Sequence, residues 1–390
     1  MPSIRARALV IALASGAVVL AGVQPAAAAS SPSTVGLVSF TAASLSGSSA
    51  SLTIDWPDAL RATRYDIYLS RHYTMENAKK LSSGRSSRTI TDLVRGADYF
   101  VQVRGRNGSK VGNKSLRVGH TTIRAHGPVS GPSYRVMTYN VCSQLCGGFS
   151  QRQPGALERV SLYRPDVLAT QEAGYLATPA GYALARYKSA KRLFFRSSRF
   201  NLAVCAPDAP ATCERTGDIF LGRHDGNDRW AVWAELIDRA TGQHVMFADV
   251  HTVSGDSSQR SAERKIEMNT LLREMATANP ARLPVVYLGD FNSHKNRAVD
   301  SVADVMHAAG YYDAFDLAQT LTRQHLNSFN GFRTTPTISY RWGDHVDHVW
   351  VRPGKTRVLG WRNGVNIRSG RLVTPIPSDH SPLVIDVQVN

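Results

Sequence analysis

The sequence has 390 residues, of which 43% are hydrophobic and 19% are charged. These are the values of an ordinary globular protein with enough chain for two or three domains, and no segment after the first 29 residues is long and apolar enough to span a membrane. The formal net charge of +16 favours an anionic partner, such as nucleic acid, an acidic cell envelope or anionic lipid, although an arginine-rich composition or simple solubility would also account for it.

The first 29 residues have the pattern of a secretory signal peptide. Arg5 and Arg7 form a basic start, residues 8–23 are apolar, and the alanines at 27–29 offer a cleavage site. A transmembrane anchor is the alternative, but the apolar stretch is shorter than the ~20 residues that a membrane span needs. We therefore predict a secreted, extracellular protein. Because the leader carries two arginines and no acid, the net charge of the mature chain falls from +16 to +14.

Residues 34–124 are predicted to form an all-β sandwich. Runs such as residues 51–56, 65–69 and 99–104 alternate apolar with polar side chains, turn residues separate them, and no helical period appears. The stretch from 30 to 126 holds 14 basic and 6 acidic residues, a balance of +8, and is more basic per residue than the rest of the chain. This excess predicts contact with anionic polymers.

The same stretch resembles a fibronectin type III domain. Trp56 stands where that family has an early core tryptophan, and residues 93–103 resemble its leucine, glycine-containing turn and tyrosine-headed strand, with Tyr99 as a candidate tyrosine corner. The resemblance implies a binding or spacing module without catalytic residues, in contact with the cell envelope or a polysaccharide. A run of Pro, Gly and Ser at residues 125–133 predicts a linker to a second domain.

The second domain, residues 134–390, has a mixed pattern. Residues 154–164, 257–279 and 297–309 are predicted helices, and short apolar runs between them have the character of buried strands. Helices on the faces of a packed sheet, in a layered α/β or α+β unit, would bury these elements. In the second helix the predicted apolar stripe consists of Ile266, Leu271, Leu272 and Met275.

Several apolar runs of this domain end in, or begin from, a polar cluster. Strands of one sheet carry their ends to common rims, so such residues can meet in one pocket although they are far apart in the sequence. Carboxylates buried there would need partners, and a bound cation would supply one. The polar residues concerned are Asn140, Glu172, His251, Asp290, Asn292, Asp347, Asp379 and His380.

The side chains of this set suggest a metal centre with acid–base groups. Five of them are candidate metal ligands that bind through oxygen, and oxygen ligands select hard ions such as Mg²⁺, Mn²⁺ or Ca²⁺ over Zn²⁺. A hard ion neutralises charge on a phosphate and helps to generate a nucleophile. His251 and His380 could supply acid and base, with Asp347 orienting an imidazole. The candidate ligands are Asn140, Glu172, Asp290, Asn292 and Asp379.

These polar residues and the apolar runs beside them occur in the order seen in the endonuclease/exonuclease/phosphatase superfamily, which has the deoxyribonuclease I-like fold, and this part of the chain resembles that superfamily. The likeness runs from Tyr134 to the C-terminus and implies a four-layer α/β sandwich with two packed sheets. It implies a divalent cation as cofactor, with Mg²⁺ favoured and Mn²⁺ or Ca²⁺ as alternatives. The implied roles are Glu172 as principal metal ligand with Asn140 and Asp379 nearby, Asp290 and Asn292 as positioners of water and phosphate, His251 and His380 as the acid–base pair, Asp347 as the residue that orients His380, and Arg229 as a phosphate contact.

The four cysteines agree with export. An even count in a secreted chain predicts two disulfides with three alternative connectivities, of which the local pairs Cys142–Cys146 and Cys205–Cys213 are favoured. A zinc site is the competing interpretation, but the spacings do not repeat a zinc-ribbon pattern.

Three functions follow from these patterns. The leading hypothesis is a secreted monomer that acts as a divalent-metal-dependent nuclease on phosphodiester bonds. A sphingomyelinase-like or other phospholipid or inositol-phosphate esterase is the second, and an inactive binding protein is the third. The basic and aromatic segment 188–199 could contact a polyanion, or could be a strand pair with Phe194 or Phe195 in the core. His345 and His348, on either side of Asp347, are expected to support it or to be structural.

Overall fold

The computed structural model describes residues 30–128, 130–210, 213–224 and 226–390. The predicted signal peptide lies outside these residues. Within the described ranges, no helix has the length and apolar character that crossing a membrane requires.

The N-terminal domain is a β-sandwich, as its alternating runs predict. One sheet has the order β1-β2-β5, and the other has the order β4-β3-β6-β7 with β8 paired to β6. Inward side chains such as Leu52, Trp56, Ile67 and Val103 fill the space between them. The strands are β1 (Ser39–Ser46), β2 (Ser49–Asp55), β3 (Arg64–Ser70), β4 (Lys79–Ser83), β5 (Ser87–Val94), β6 (Asp98–Asn107), β7 (Lys110–Val111) and β8 (Val118–Thr121).

Tyr99 lies at the start of β6, and its hydroxyl accepts a hydrogen bond from the backbone N–H of Val94 at 3.0 Å. This bond back to an upstream residue is the arrangement expected of a tyrosine corner. The assignment of the domain to the fibronectin type III family stays a prediction.

The C-terminal domain contains four helices and sixteen strands among the described residues. They are β9 (Ser133–Asn140), α1 (Phe149–Tyr163), β10 (Val167–Gln171), β11 (Tyr182–Lys188), β12 (Lys191–Arg196), β13 (Phe200–Leu202), β14 (Thr216–His224), β15 (Asn227–Asp238), β16 (His244–His251), α2 (Ser258–Ala278), β17 (Val285–Asp290), α3 (Ser301–Ala308), β18 (Tyr312–Asp313), α4 (Ala314–Leu317), β19 (Thr320–Thr322), β20 (Asp347–Val351), β21 (Thr356–Asn363), β22 (Ile367–Arg368), β23 (Arg371–Leu372) and β24 (Leu383–Val389).

Two large sheets pack face to face in this domain. One has the order β11-β12-β10-β9-β24-β21-β19, and the other has the order β13-β15-β16-β17-β20-β18 with β14 paired to β15. Val136 and Val167 of the first sheet share a core with Phe247 and Leu288 of the second. Helix α1 covers the outer face of the first sheet, and α2 and α3 cover that of the second. The predicted four-layer α/β sandwich is confirmed.

The two domains are joined more closely than a linker predicts. Strand β1 pairs with β19 at Ala42 and Thr320, so β1, β2 and β5 extend the first sheet to ten strands. The predicted linker also packs against the C-terminal domain, since the N–H of Gly127 donates to the carbonyl of Thr356 at 2.7 Å. Backbone pairing across a domain boundary depends on three-dimensional docking, and for that reason composition alone did not indicate it.

Two details of the predicted helices are wrong. Helix α1 begins at Phe149 and includes Pro154, which we had placed at its start. In α2 the buried stripe is Met268, Leu271 and Met275, whereas Ile266 is 61% exposed. The buried face of α2 also includes the polar residues Ser261, Arg264 and Glu267, so a search for apolar residues alone missed that part of it.

Candidate active site

The predicted site residues gather around one open cleft at the rims of the two packed sheets of the C-terminal domain. Asn140 ends β9 beside the end of β10, and His251 ends β16 beside Asp290, the last residue of β17. We had expected strands of one sheet to gather these residues, but they come from the rims of both sheets. The cleft has a volume of ≈ 1060 Å³, and the predicted residues that line it are Glu172, Arg229, His251, Asp290, Asn292, Asp379 and His380.

Asn140 lies beneath the cleft and connects the two sheets. Its amide donates to Glu172 Oε1 at 3.2 Å and to Asp290 Oδ2 at 3.0 Å. Its own oxygen accepts from the N–H of Cys142 at 3.1 Å, and this bond sets the orientation of the amide. Asn140 therefore holds one carboxylate from each sheet at the same point.

Asp290 and Asn292 form a tight turn at the end of β17. The N–H of Asn292 donates to Asp290 Oδ1 at 3.0 Å, and the Asn292 amide donates to the carbonyl of Thr252 at 3.1 Å. Asn292 has a φ of 47°, a left-handed conformation that asparagine tolerates better than most residues. The turn presents both side chains to the cleft.

His380 and Asp347 form a buried pair. The Nδ1 atom of His380 lies 2.9 Å from Asp347 Oδ2, and its Nε2 atom lies 3.7 Å from Asp290 Oδ2. Burial lowers the pKa of His380, but the carboxylates of Asp347 and Asp290 outweigh it and raise the pKa to about 10. The ring of Phe329 packs edge-on against the imidazole, with centroids 5.1 Å apart. His380 is thus a firmly oriented imidazolium.

His251 has the opposite electrostatic environment. Burial holds its pKa well below the ordinary value, and the cations of Lys191 and Arg229 act in the same direction. Its Nε2 atom lies 3.6 Å from Asp290 Oδ2. The cleft therefore holds one neutral imidazole and one imidazolium on either side of the same carboxylate.

The profile of the Endonuclease/Exonuclease/phosphatase family matches residues 137–380. This chain belongs to that family. The match spans almost all of the C-terminal domain, and Met137 and His380 are its first and last residues. The comparison with curated proteins gave no match.

Solved structures agree with the family fold. An endonuclease/exonuclease/phosphatase family protein from Bacteroides thetaiotaomicron has a TM-score of 0.53 and 18% identity, over 67% of this chain and 99% of that chain. A mannosyl-6-phosphatase from the same organism has a TM-score of 0.51 and 17% identity, over 65% of this chain and 98% of that chain. At these identities the likeness concerns the fold alone.

Enzymes of the endonuclease/exonuclease/phosphatase family generally use divalent metals, and the donor set of this chain fits one. The carboxylates of Glu172 and Asp290 converge on one point, since both lie within 3.2 Å of the Asn140 amide nitrogen. Burial raises the pKa of Asp290 to about 7, and burial also raises the pKa of Glu172. Such carboxylates lack sufficient positive charge, and a hard cation would supply it.

Asp379 lines the cleft, but its carboxylate faces the loop after β9, where its Oδ2 atom lies 3.7 Å from Sγ of Cys146.

Both predicted disulfides, Cys142–Cys146 and Cys205–Cys213, are present. The bridged sulfurs carry no thiolate, so the zinc interpretation of the cysteines is wrong.

Sequence reasoning missed Lys191 in this family site. The segment around it forms the hairpin β11–β12 with Phe194 and Phe195 in the core, but Lys191 itself is buried and lines the cleft. Burial lowers its pKa to about 8, although the nearby Asp249 carboxylate opposes the shift. Asp249 also accepts from the Gln171 amide at 2.6 Å. The basic and aromatic segment 188–199 gave no signal that Lys191 in particular would be enclosed.

His348 supports the turn that carries Asn292. Its Nδ1 atom lies 2.7 Å from Asp313 Oδ2, and its Nε2 atom lies 2.9 Å from the carbonyl of Ser293. Burial lowers the pKa of His348, but Asp313 outweighs it and raises the pKa to about 9. This agrees with the expected supporting role. His345 is also buried, and it packs against Phe315 and Trp361 away from the cleft.

Proposed function

We propose that this protein is a secreted, divalent-metal-dependent phosphodiesterase that hydrolyses nucleic acid. The observation that carries the proposal is the meeting of Glu172, Asp290 and the His380–Asp347 pair in one open cleft. An arrangement of carboxylates around one protonated and one neutral imidazole suits proton transfer during attack of water on phosphorus.

Glu172 and Asp290 would hold the cation, with Asp379 beside them. Asn140, which turns its amide nitrogen rather than its oxygen towards Glu172 and Asp290, would position these two carboxylates instead of binding the metal. A bound Mg²⁺, or Mn²⁺ or Ca²⁺, neutralises charge on the phosphate and lowers the pKa of a water molecule. The chain itself would place the phosphate with Arg229, whose side chain reaches the cleft between Glu172 and His251. Asn292 would orient the water and a phosphoryl oxygen together with Asp290.

The two histidines would have different tasks. His380 carries a proton at neutral pH because its pKa is raised to about 10, so it would donate to the departing oxygen or to a phosphoryl oxygen. His251 is neutral because its pKa is depressed, so its imidazole is free to accept the proton of the attacking water. Asp347 keeps the His380 ring in place.

Charge and export support a nucleic-acid substrate. Lys191, Arg223, Arg229 and Arg297 all line the cleft, and such cations suit a polymer with repeated phosphates. The basic balance of the whole chain acts in the same direction. The signal-peptide pattern and two disulfides support secretion.

The proposal is tested by offering residues 30–390 a set of phosphoesters. Plasmid DNA, RNA, sphingomyelin, mannose 6-phosphate and bis(p-nitrophenyl) phosphate are each supplied with Mg²⁺, Mn²⁺ or Ca²⁺, and with EDTA. We expect cleavage of DNA or RNA that EDTA abolishes. Hydrolysis of sphingomyelin or of the sugar phosphate without nucleic-acid cleavage would overturn the substrate class, and activity that persists in EDTA would overturn the mechanism.

Variants separate the protein's own activity from that of a contaminating nuclease. His251→Ala and His380→Ala should each lose at least ~10²-fold in rate, the usual contribution of a proton-transfer group. His72→Ala, at an exposed histidine of the N-terminal domain, is the matched control and should keep full activity.

A further inference from the structure

The outer face of the five-stranded sheet in the N-terminal domain carries a concentration of positive charge. Arg64, Arg104 and Arg106 project from β3 and β6 on the face opposite the core, and Lys80 projects from β4. Lys114 and Arg117 follow in the segment between β7 and β8. Such a face attracts polyanions.

The acids on these strands do not cancel this charge. Asp66 lies at the centre of the face and is only 1% exposed, because Lys80, Arg104 and Arg106 enclose it at 3.0 to 3.2 Å. Asp98, at the start of β6, is paired with Lys295 of the other domain at 3.3 Å. Three cations around one carboxylate leave a net positive surface.

Aromatic rings lie between the cations. Lys114 Nζ lies 4.1 Å above the ring of Tyr68, and the guanidiniums of Arg117 and Arg341 lie 4.7 and 4.8 Å from the ring of Tyr73. Tyr73 is 37% exposed and Lys114 and Arg341 are exposed, so the solvent side of this surface offers both charge and flat apolar faces.

The rings continue into the C-terminal domain and towards the cleft. Tyr73 contacts Phe100 with centroids 5.5 Å apart, and Phe100 contacts Trp342 at 5.1 Å. Lys295 Nζ lies 4.0 Å over the ring of Trp342, and Lys295 follows the turn of Asn292 by three residues. We call the set Lys114, Tyr68, Arg117, Tyr73 and Arg341 the basic-aromatic row. Trp342, which is only 3% exposed, lies buried beside it.

We propose that the basic-aromatic row binds the strand of a nucleic acid outside the cleft. This inference rests on the proposed function, since the polymer that reaches the row is taken to be the one cut in the cleft. Cations would contact phosphates, and bases would stack on the guanidiniums of Arg117 and Arg341 that pack over the ring of Tyr73, as in proteins that bind single strands without sequence preference. The pairing of β1 with β19 holds the row at a constant position relative to the cleft.

A triple variant, Lys114→Gln, Arg117→Gln and Arg341→Gln, tests the row. Binding of a fluorescent, phosphorothioate-linked 20-nucleotide single strand is measured in EDTA by anisotropy over a range of salt concentrations. We expect the Kd to rise at least ~10-fold and the slope of log Kd against log salt to become shallower by about 2, since each neutralised phosphate on a single strand contributes ~0.7. Binding of a dinucleotide should change much less, because its single phosphodiester group cannot contact three cations at once.

The matched control removes three exposed cations elsewhere, Lys265→Gln, Arg273→Gln and Arg371→Gln, and should leave both quantities unchanged. Thermal unfolding checks that both triple variants are folded, and Lys114→Glu, a single exposed change, provides an independent variant with the same expected direction. A triple variant with the wild-type Kd and salt slope, or one that matches the control, would overturn the inference.

Two further outcomes distinguish this inference from the function on which it rests. A wild-type protein that binds the 20-nucleotide strand through the row but cleaves neither DNA nor RNA would leave the row in place and remove the nuclease. If the wild-type protein cleaves nucleic acid and the triple variant binds and cleaves long strands equally well, the nuclease activity would stand and the proposed role of the row would be overturned. Preferential binding of an acidic polysaccharide over the oligonucleotide would overturn the assignment of the partner.

Discussion

Asp66 in the N-terminal domain and Asp290 in the cleft are both only 1% exposed, yet their environments differ. Burial would raise the pKa of Asp66, but hydrogen bonds from Arg106, Lys80 and Arg104 lower it below its ordinary value. Burial raises the pKa of Asp290 to about 7 despite the nearby imidazolium of His380. A buried carboxylate that has its cations serves the fold, whereas one that lacks them marks a place where a ligand binds.

The largest expected effect is the loss of activity in Asp290→Asn. The proposed metal and water both need this carboxylate, so we expect a rate loss of about 10³-fold, within the range for an acid–base group. The variant should unfold at a temperature no lower than the wild type, because a charge buried without sufficient partners has been removed. A near-normal rate in nuclease assays would contradict the contrast with Asp66.

Metal binding should stabilise the wild type through Asp290 and Glu172. At a Mg²⁺ concentration of about 100 times Kd, the free energy of unfolding should rise by about 2.7 kcal/mol. The increase, followed by thermal unfolding with and without EDTA, should disappear in Asp290→Asn and remain in Asp66→Asn. An equal response in all three proteins would show that the cation binds elsewhere.

Asp66→Asn should destabilise the protein without affecting catalysis. The change removes charge-assisted hydrogen bonds from three cations that are partly in water, and we expect a loss of about 2 kcal/mol. Chemical denaturation measures the loss, while the rate on bis(p-nitrophenyl) phosphate per folded molecule should stay at the wild-type value. A large fall in that rate would mean that the N-terminal domain acts on the chemistry.

The smallest expected effect for a single step in conditions, about 1 kcal/mol for each pH unit, is a difference in pH dependence between the two carboxylates. In EDTA, the raised pKa of Asp290 contributes to the free energy of unfolding at low pH. This contribution is lost as the pH rises towards about 7, and the wild type should lose about 1 kcal/mol per pH unit relative to Asp290→Asn. The lowered pKa of Asp66 gives stability that is present above its unfolded value and is lost as the pH falls through the folded value. Denaturation curves of both variants across this range should therefore diverge from the wild type at opposite ends, and parallel curves would contradict the contrast.

The strand ends of the C-terminal domain were predictable because local signals define them. The buried strand β17 is an apolar run that ends at Asp290. Strand β16 is apolar apart from His244 and Asp249, and it ends at His251. The predicted bounds of helix α2, residues 257–279, agree with the structure to within one residue at each end, and Ser257 is its N-cap. The pairs of nearby cysteines were also a local signal.

The amino-acid sequence by itself determined the two-domain order, the elements that carry the site and the residue types that gather there, because each depends on neighbouring residues along the chain. Only the tertiary structure decided that the site spans two sheets, that Lys191 is enclosed beside His251, and that β1 joins β19. The reason is physical: burial, pKa and pairing between distant strands depend on what packs against a group from other parts of the chain.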